Sequence, residues 1–355
     1  MFGREGVYNK LLICINHFDS IHFNSGYFSG MKIVLYGLLL MPLTLIAQRL
    51  WVNKDSAFGP LPKGLHVYYS DAALDGQPFR AYYVRGQLKE KNLQFDTDST
   101  TNRRLTPQQF YERNNQPFVV VNGTFFSFTS NKNLNTLIKG GKILAHDEHI
   151  RALKGTDTLL YHKHLASAIG ITKRRKADVA WVYNGQRSKH VVAFQNGPEQ
   201  RTDSINNVSL YTFAPEMHHL PKTEKRRGIQ AKWRVQTAIG GGPVLLHDGA
   251  IRITNNEEGK FVGKAINDKH PRTAMGYTAD GNLIILVVEG RNPSAGGASL
   301  LQLAQLMKEL GCVEALNLDG GGSTCLLING KETVKPSDKE GQRPVPGVFL
   351  IRIRN

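Results

Sequence analysis

The chain has 355 residues, of which 41% are hydrophobic and 21% are charged. This composition is ordinary for a globular protein, and it excludes wholesale disorder as well as a collagen-like or coiled-coil chain, because the 35 glycines are clustered rather than periodic. The 45 Lys and Arg exceed the 29 Asp and Glu by 16, an excess that favours an anionic partner such as nucleic acid, a membrane surface or a phosphorylated substrate.

The N-terminal region predicts export. Residues 31–48 combine a short basic start, the apolar run Ile33–Ile46 and a small-residue cleavage point at Ala47-Gln48, which is typical of a secretory signal peptide. The run is shorter than the roughly 20 residues that a transmembrane helix needs, and an uncleaved anchor stays open as the alternative. We expect Met31 to be the true start, residues 1–30 to be a mis-assigned extension, and the mature protein to be periplasmic or extracellular without a membrane span.

The remainder divides into a linker at residues 49–62 and a single domain at residues 63–355. Thr106 and Pro107 predict the N-cap and first residue of a short helix. Apolar, strand-like runs occur at Leu65–Tyr69, Phe79–Arg85, Phe118–Val121, Ala166–Ile171, Val179–Tyr183, Val191–Gln195, Trp233–Ile239, Met275–Thr278, Leu283–Val288 and Val313–Leu318.

The C-terminal third predicts a β-α-β unit. Leu283–Val288 is a continuous apolar run, as in a strand buried on both faces. Ser299–Leu310 has the apolar stripe of a helix, with a capping-box pattern at Ser299 and Gln302. With Val313–Leu318 as the next strand, we expect two parallel strands and a right-handed crossover. The predicted fold class is therefore mixed α/β, a largely central β-sheet flanked by helices.

Two cysteines remain after the predicted signal peptide, Cys312 and Cys325. Two cysteines do not make a disulfide framework, although an oxidising compartment would permit them to pair. Because both lie in apolar stretches, we expect buried free thiols.

Glycines and polar side chains directly follow four of the predicted strands. Ligands bind beyond the carboxyl ends of strands in open α/β sheets, glycine lets a ligand approach the backbone closely, and consecutive amides can bind an anion. Arg272, upstream of another strand, could bind phosphate oxygens bidentately. The four segments are Asn122–Phe126, Gly240–Pro243, Glu289–Arg291 and Asp319–Thr324.

Other sequence features argue against nucleotides and nucleic acids. The segment Asp319–Thr324 lacks the lysine with which a P-loop reaches terminal phosphates, so nucleotide hydrolysis is disfavoured. The basic runs Lys173–Lys176 and Lys225–Arg227 carry no interleaved aromatic residues, so they do not resemble a nucleic-acid groove. We interpret both runs as solvated surface.

The glycine-rich segments resemble the motifs of the phosphodiester glycosidase family, and the chain is identified as an exported, bacterial-type member. The resemblance covers about residues 116–353. Many members carry Asp-Gly-Arg where this chain has Glu289-Gly290-Arg291, and Cys325 stands where a hydroxyl residue is common. In chain order the matching segments are Asn122-Gly123-Thr124-Phe125-Phe126, Gly241-Gly242-Pro243, His270-Pro271-Arg272-Thr273-Ala274, Glu289-Gly290-Arg291, Asn317-Leu318-Asp319-Gly320-Gly321-Gly322-Ser323 and Arg343-Pro344-Val345.

The resemblance implies hydrolysis of a sugar-1-phosphodiester at the glycosidic C1–O bond. It implies Asp319 as nucleophile or general base, Glu289 as the second carboxylate, and Arg272 and Arg291 as phosphate ligands. A purely structural Asp319 that caps the glycine loop stays open. The further substrate contacts that it implies are Asn122, Gly241, Gly242, Thr273, Asn317, Gly320, Gly321, Gly322 and Ser323.

Two other functions stay open at this point. One is a non-catalytic module that binds a phosphoglycan or cell-surface glycan, and the other is a metal-dependent phosphodiesterase that attacks phosphorus with Asp319 as a ligand. We expect a sugar-phosphate or phosphoglycan partner and no nucleic acid. No cofactor and no metal site are expected, although calcium or magnesium stays open with the phosphodiesterase alternative.

Overall fold

The structure, a computed structural model, describes residues 49–148, 150–152, 161–163, 165–185, 188–197, 229–230 and 232–354. The predicted signal peptide, the residues before it and the basic run Lys225–Arg227 lie outside this part. None of the helices within it has the length and apolar character needed to cross a membrane.

The described residues form mostly β-strands, together with two α-helices, α1 (Pro107–Arg113) and α2 (Leu300–Glu309). In chain order the strands are β1 (Val52–Asn53), β2 (Leu65–Ser70), β3 (Ala81–Gln87), β4 (Leu93–Ser99), β5 (Val119–Asn122), β6 (Leu137–Lys139), β7 (Lys142–Ala145), β8 (Ile150–Ala152), β9 (Tyr161–Lys163), β10 (Ala166–Thr172), β11 (Ala177–Tyr183), β12 (Val192–Phe194), β13 (Ile229–Gln230), β14 (Val235–Gly240), β15 (Val244–His247), β16 (Ala250–Ile251), β17 (Arg272–Thr278), β18 (Asn282–Val288), β19 (Cys312–Asn317), β20 (Leu326–Ile328), β21 (Lys331–Glu332) and β22 (Gly347–Ile353).

The prediction of a central α/β sheet flanked by helices is wrong. The strands form an eight-stranded sheet (β1-β2-β3-β18-β17-β19-β15-β16), a seven-stranded sheet (β13-β12-β11-β10-β14-β6-β7), a five-stranded sheet (β21-β20-β5-β22-β4) and a separate β8-β9 pair. Every strand pairing in the described part is antiparallel. The apolar runs reflect burial of the strands between packed layers, and they do not require parallel pairing.

The predicted β-α-β unit is also organised differently. Helix α2 does connect β18 to β19, but β17 lies between these two strands and is antiparallel to both. Met275 of β17 pairs with Ile285 on one side and with Leu316 on the other. The two strands therefore run in the same direction without being hydrogen-bonded neighbours, because the preceding strand fills the gap.

Strand β18 is buried on both faces, as its continuous apolar sequence predicts. Ile285 and Val287 face a core that also contains Val121 of the five-stranded sheet and Ile239 of the seven-stranded sheet. The alternate residues, such as Leu286, pack in a second core with the apolar face of α2. The same strand is thus covered by other sheets on one side and by a helix on the other.

Residues 49–62, the predicted linker, contact the domain directly. Strand β1 pairs with β2, and Phe58 is buried in the main core. The side-chain amide of Asn329 donates a hydrogen bond to the Phe58 carbonyl at 2.7 Å.

The prediction of two buried free thiols, Cys312 and Cys325, is confirmed.

Helix α2 begins with the predicted capping box. The Ser299 hydroxyl accepts from the backbone N–H of Gln302 at 3.2 Å, and the Gln302 side chain accepts from the Ser299 N–H at 2.9 Å. We expect Ser299→Ala to lower the free energy of unfolding by about 1 kcal/mol, because it leaves a helix-end N–H without its acceptor. Urea denaturation measures this loss. Ser130→Ala, at an exposed hydroxyl that makes no hydrogen bond within the described part, is the control, and equal midpoints for both variants would contradict the capping role.

Candidate active site

The loop after β19 contacts the loop after β5. Asp319 donates its backbone N–H to the Gly123 carbonyl at 3.0 Å, and the Asn122 side-chain amide donates to the Asp319 carbonyl at 2.6 Å. The Asn122 side-chain oxygen accepts from the Thr273 hydroxyl at 2.9 Å and from the Cys325 N–H at 3.1 Å. Asn122 and Thr273 are buried and hold these loops together. Their contact with a substrate stays a prediction.

The loop after β14 is anchored to the end of β19. Gly242 donates its N–H to the Asn317 carbonyl at 2.7 Å, and the Asn317 side-chain amide donates to the carbonyls of Gly242 and Leu318 at 3.0 and 2.7 Å. A Cβ at Gly241 would overlap the Asn317 carbonyl, so this close approach requires glycine. The Gly242–Pro243 peptide bond is cis. Asn317 thus positions both loops, and its predicted substrate contact is untested.

The glycines after Asp319 lie beneath two guanidinium groups. Gly321, at φ +60°, donates its N–H to the Pro271 carbonyl at 2.8 Å. The terminal nitrogens of Arg291 lie 3.2 and 3.3 Å from the place that a Cβ at Gly321 would take. A Cβ at Gly322 would overlap the guanidinium of Arg343. All four predicted loops and the start of β17 therefore meet around Asp319, as the sequence predicts for a single site.

The Asp319 carboxyl group is partly buried at the centre of these loops. Burial raises its pKa to about 6, while the neighbouring Ser323 hydroxyl, the Arg343 charge and the Gly320 N–H all act to lower it. The Gly320 N–H donates to Asp319 Oδ1 at 3.0 Å. A carboxyl group with this pKa is mostly ionised at pH 7, and it can act as a nucleophile or base or exchange a proton near neutral pH.

Glu289, the other predicted carboxylate, is bound on both oxygens. Its Oε1 accepts from Arg80 Nη1 at 3.4 Å and from the Asn292 amide at 3.0 Å, and its Oε2 accepts from the Lys335 N–H at 3.0 Å. The side chain is almost completely buried, and none of these partners also binds the Asp319 carboxylate. These contacts tie the loop after β18 to two other segments. A direct catalytic role for Glu289 stays a prediction.

The two predicted phosphate-binding arginines lie in different environments. Arg272 is buried, and it donates to the Ala298 and Asp268 carbonyls at 2.9 and 3.1 Å. Burial lowers the pKa of Arg272 to about 10, assisted by the nearby positive charge of Arg291, so the group stays charged at neutral pH. Arg291 is exposed and adopts φ +64°. Of the two, Arg291 is the accessible one.

His270 lies next to Arg291, with its Nδ1 3.3 Å from Arg291 Nη2. Burial and the charges of Arg272 and Arg291 lower the pKa of His270, which keeps the imidazole neutral at pH 7. Because a guanidinium only donates hydrogen bonds, Nδ1 is the acceptor and the imidazole proton is on Nε2.

Glu258 is a buried carboxylate beneath the site that sequence reasoning missed. Its Oε1 accepts from the Trp181 indole at 3.1 Å, the Val244 N–H at 2.9 Å and the Thr254 hydroxyl at 2.6 Å. Its Oε2 accepts from the N–H and hydroxyl of Ser167 at 3.2 and 2.9 Å. Glu258 is the last residue of the polar segment Asn255–Glu258, whose sequence is typical of an exposed loop. For that reason nothing in the sequence indicates that Glu258 is buried.

The sequence analysis also did not assign Arg343 and Asp338 to the site. Arg343 donates to both Asp338 oxygens, from Nε at 2.7 Å and from Nη2 at 2.9 Å. The sequence places Arg343 in a motif of the family, but nothing in the local pattern indicates that it returns to the loop after β19.

A group of metal-ligating side chains lies away from Asp319. The ligand atoms of His247, Asp248 and Glu314 all lie within 4.8 Å of one another. His247 is the last residue of β15. The first residue of that strand, Val244, pairs with Leu316, which is next to the last residue of β19. Both Glu314 oxygens already have partners, His247 Nδ1 at 3.1 Å and the Asp248 N–H at 2.8 Å. Within the described part, the side-chain hydrogen bonds of this group stay among its own three residues, so we do not include it in the candidate active site.

Comparison with protein families gives a match over residues 177–352, to the model described as phosphodiester glycosidase. This range contains five of the six matching segments, all except Asn122–Phe126.

Two curated relatives match shorter segments. The SPbeta prophage-derived uncharacterized protein YomE of Bacillus subtilis is 40% identical over 73 residues, which cover 21% of this chain and 11% of the relative. The N-acetylglucosamine-1-phosphodiester α-N-acetylglucosaminidase of Mus musculus is 32% identical over 101 residues, which cover 28% of this chain and 19% of the relative. The matched segments thus span about a tenth to a fifth of these relatives.

A solved structure extends the similarity of fold to most of the chain. The catalytic domain of zebrafish N-acetylglucosamine-1-phosphodiester α-N-acetylglucosaminidase superimposes with a TM-score of 0.53 and 20% identity. The match covers 83% of this chain and 85% of that structure. At this identity the likeness shows a shared fold.

Proposed function

Because residues 177–352 belong to the phosphodiester glycosidase family, we propose that the protein hydrolyses a sugar-1-phosphodiester to a free sugar and a phosphomonoester. The observation that carries this proposal is the place of Asp319. Its carboxyl group, with a pKa raised to about 6, lies where the family's motifs meet and next to guanidinium groups. A carboxylate and cations in one site suit a reaction that builds positive charge on a sugar and negative charge on a phosphate.

The proposed step breaks the bond between C1 of the sugar and the bridging phosphate oxygen. As this bond breaks, C1 gains oxocarbenium character, which the Asp319 carboxylate stabilises as a nucleophile or by activating water. The bridging oxygen leaves with the phosphate, and Arg291 stabilises the charge that grows there. A phosphate is already a good leaving group, so the reaction needs little general-acid help.

Glu289 is proposed to act through position rather than by direct attack, since both of its oxygens are bound by the protein. It would keep the segment that carries Arg291 next to Gly321. N-acetylglucosamine is the first sugar to test, since it appears in the name of the matched mouse relative. Export, which the N-terminal sequence predicts, would give the enzyme access to an extracytoplasmic glycoconjugate.

The test follows products in H2(18)O with the purified protein. The substrates are UDP-N-acetylglucosamine and simpler sugar-1-phosphodiesters, and we expect free sugar that carries the solvent oxygen at C1. Label in the phosphate would instead demonstrate attack at phosphorus, and loss of activity with a chelator would support a metal-dependent phosphodiesterase. Binding of the same compounds without any turnover would indicate a glycan-binding module.

A further inference from the structure

We propose that Arg343, held by Asp338, binds the phosphate group of the substrate together with Arg291, so that the two arginines form a clamp over Gly321 and Gly322. This inference rests on the proposed function for the identity of its substrate. It adds Arg343 to the substrate-binding residues, and it explains why residues 321 and 322 are glycines.

The first argument is the fit between the two guanidiniums and the glycine backbone. Arg291 lies against the side-chain space of Gly321, and the ion pair of Arg343 with Asp338 occupies that of Gly322. Successive Cα atoms are about 3.8 Å apart, so the two cations contact neighbouring points on the chain just after Asp319. They are 52 positions apart in the sequence, which means that the fold brings them to the loop from separate segments.

The second argument is that Arg343 is oriented but retains a free donor. Asp338 binds its Nε and Nη2, and Phe128 lies under the guanidinium with 5.5 Å from Cζ to the ring centre. Its Nη1 makes no hydrogen bond within the described part of the chain. The side chain of Arg343 is 24% exposed, so an anion can reach it from solvent. A planar guanidinium with its orientation set in advance loses little entropy when it binds phosphate.

The third argument is the net charge around the loop. Arg272, Arg291 and Arg343 contribute three positive charges, of which those of Arg291 and Arg343 lie against the glycines, while Asp268 offsets part of the charge at Arg272. His270 is neutral at pH 7 because burial and the arginines lower its pKa. The positive charge that faces the glycines is therefore that of Arg291 and Arg343, and an anionic phosphate group would meet it there.

Binding of phenyl phosphate, measured by isothermal titration calorimetry, tests the clamp independently of turnover. We expect Arg343→Gln to weaken binding by about 10- to 100-fold, the usual effect of losing a hydrogen bond to a charged group. Arg104→Gln is the matched control, because Arg104 stacks on the same Phe128 ring, at 5.2 Å, without contacting the glycine loop. It should change the affinity by less than about threefold, within the range of an exposed charge.

A double variant shows whether Arg343 contacts the phosphate or only neutralises the charge of Asp338. Arg343→Gln alone leaves Asp338 without its partner, and this carboxylate would itself repel an anion. Asp338→Asn combined with Arg343→Gln removes the whole ion pair without changing the net charge. If Arg343 contacts the phosphate, the loss of affinity persists in the double variant, and recovery of wild-type affinity would overturn the proposal.

Other outcomes also decide the question. Equal weakening by Arg343→Gln and Arg104→Gln, or no binding of phenyl phosphate by the wild type, would contradict a clamp. If Arg343→Gln does not fold, Arg343→Lys replaces it, and at least fivefold weaker binding is expected because one ammonium cannot hold Asp338 bidentately and bind the anion as well. A wild type that binds phenyl phosphate through Arg343 but releases no sugar from any diester would leave the clamp standing and refute the proposed hydrolysis.

Discussion

Asp319→Asn is expected to reduce sugar release from a sugar-1-phosphodiester by about 10²- to 10⁴-fold, the usual effect of losing a catalytic acid–base or nucleophilic group. The amide has the same shape and can still accept the Gly320 N–H, so the loop keeps its main contact. What the substitution removes is the negative charge that would stabilise C1. The rate of free sugar release from the wild type and the variant measures this effect.

The control for Asp319→Asn is the same substitution at Asp248. That residue lies at the other end of β15, it is exposed, and its φ of +51° suits asparagine as well as aspartate. Its variant should retain wild-type activity. Thermal unfolding of Asp319→Ala, which cannot accept the Gly320 N–H, then tests the structural alternative, which predicts a large loss of stability where the catalytic role predicts a near-normal midpoint.

The pH dependence of the wild type gives a second test of Asp319. Because burial raises the pKa of this carboxyl group to about 6, the group loses its proton as the pH rises through that value. A nucleophile or base must be ionised, so kcat/KM should rise on the acid side with a midpoint near pH 6. This acid limb should be absent from the residual activity of Asp319→Asn. A limb that persists in the variant would assign the titration to another group.

Glu258→Gln is expected to have the largest effect on folding, with a loss of about 2–5 kcal/mol in the free energy of unfolding. Five donor groups converge on the carboxylate, and an amide must turn its NH2 group towards some of them. On the Oε2 side the Ser167 hydroxyl can rotate to become an acceptor, but the Ser167 backbone N–H cannot. One buried N–H is then left facing another donor.

Denaturant unfolding of Glu258→Gln, beside Glu257→Gln, measures this effect. Glu257 is the adjacent residue of the same type, and it makes no hydrogen bond or ion pair within the described part of the chain. Its variant should unfold at the wild-type midpoint. A Glu258→Gln protein as stable as that control would show that the carboxylate network contributes nothing to stability.

The local features of this fold were largely readable from the sequence. The apolar run of β18 predicted a strand buried on both faces, and Ser299 with Gln302 predicted the start of α2. The glycine-rich segments were readable as loops that follow β5, β14, β18 and β19. These predictions succeed because each depends on neighbouring residues, whose side-chain periodicity and capping chemistry act within a few positions.

Strand β4 carries no apolar signal and escaped prediction. β4 has the sequence LQFDTDS, which reads as polar, yet it pairs with β22 over seven residues. Its Asp96 is buried, and ion pairs with Arg352 and with Lys139, the latter at 3.7 Å, compensate the charge. Because these two partners lie in other strands, the sequence of β4 alone does not show that a buried aspartate is stable there.

The sequence by itself determined the apolar strands such as β18, the start of α2, the positions of the polar loops and the family to which residues 177–352 belong. Only the tertiary structure decided that β17 lies between β18 and β19, that Glu289 is bound on both oxygens, and that Arg343 reaches Gly322. The physical reason is that pairing order and hydrogen-bond partners depend on contacts between distant segments, whereas propensity and capping are local. The sequence around a carboxylate or a guanidinium does not show whether the folded protein leaves that group accessible to a substrate or binds it with its own hydrogen bonds.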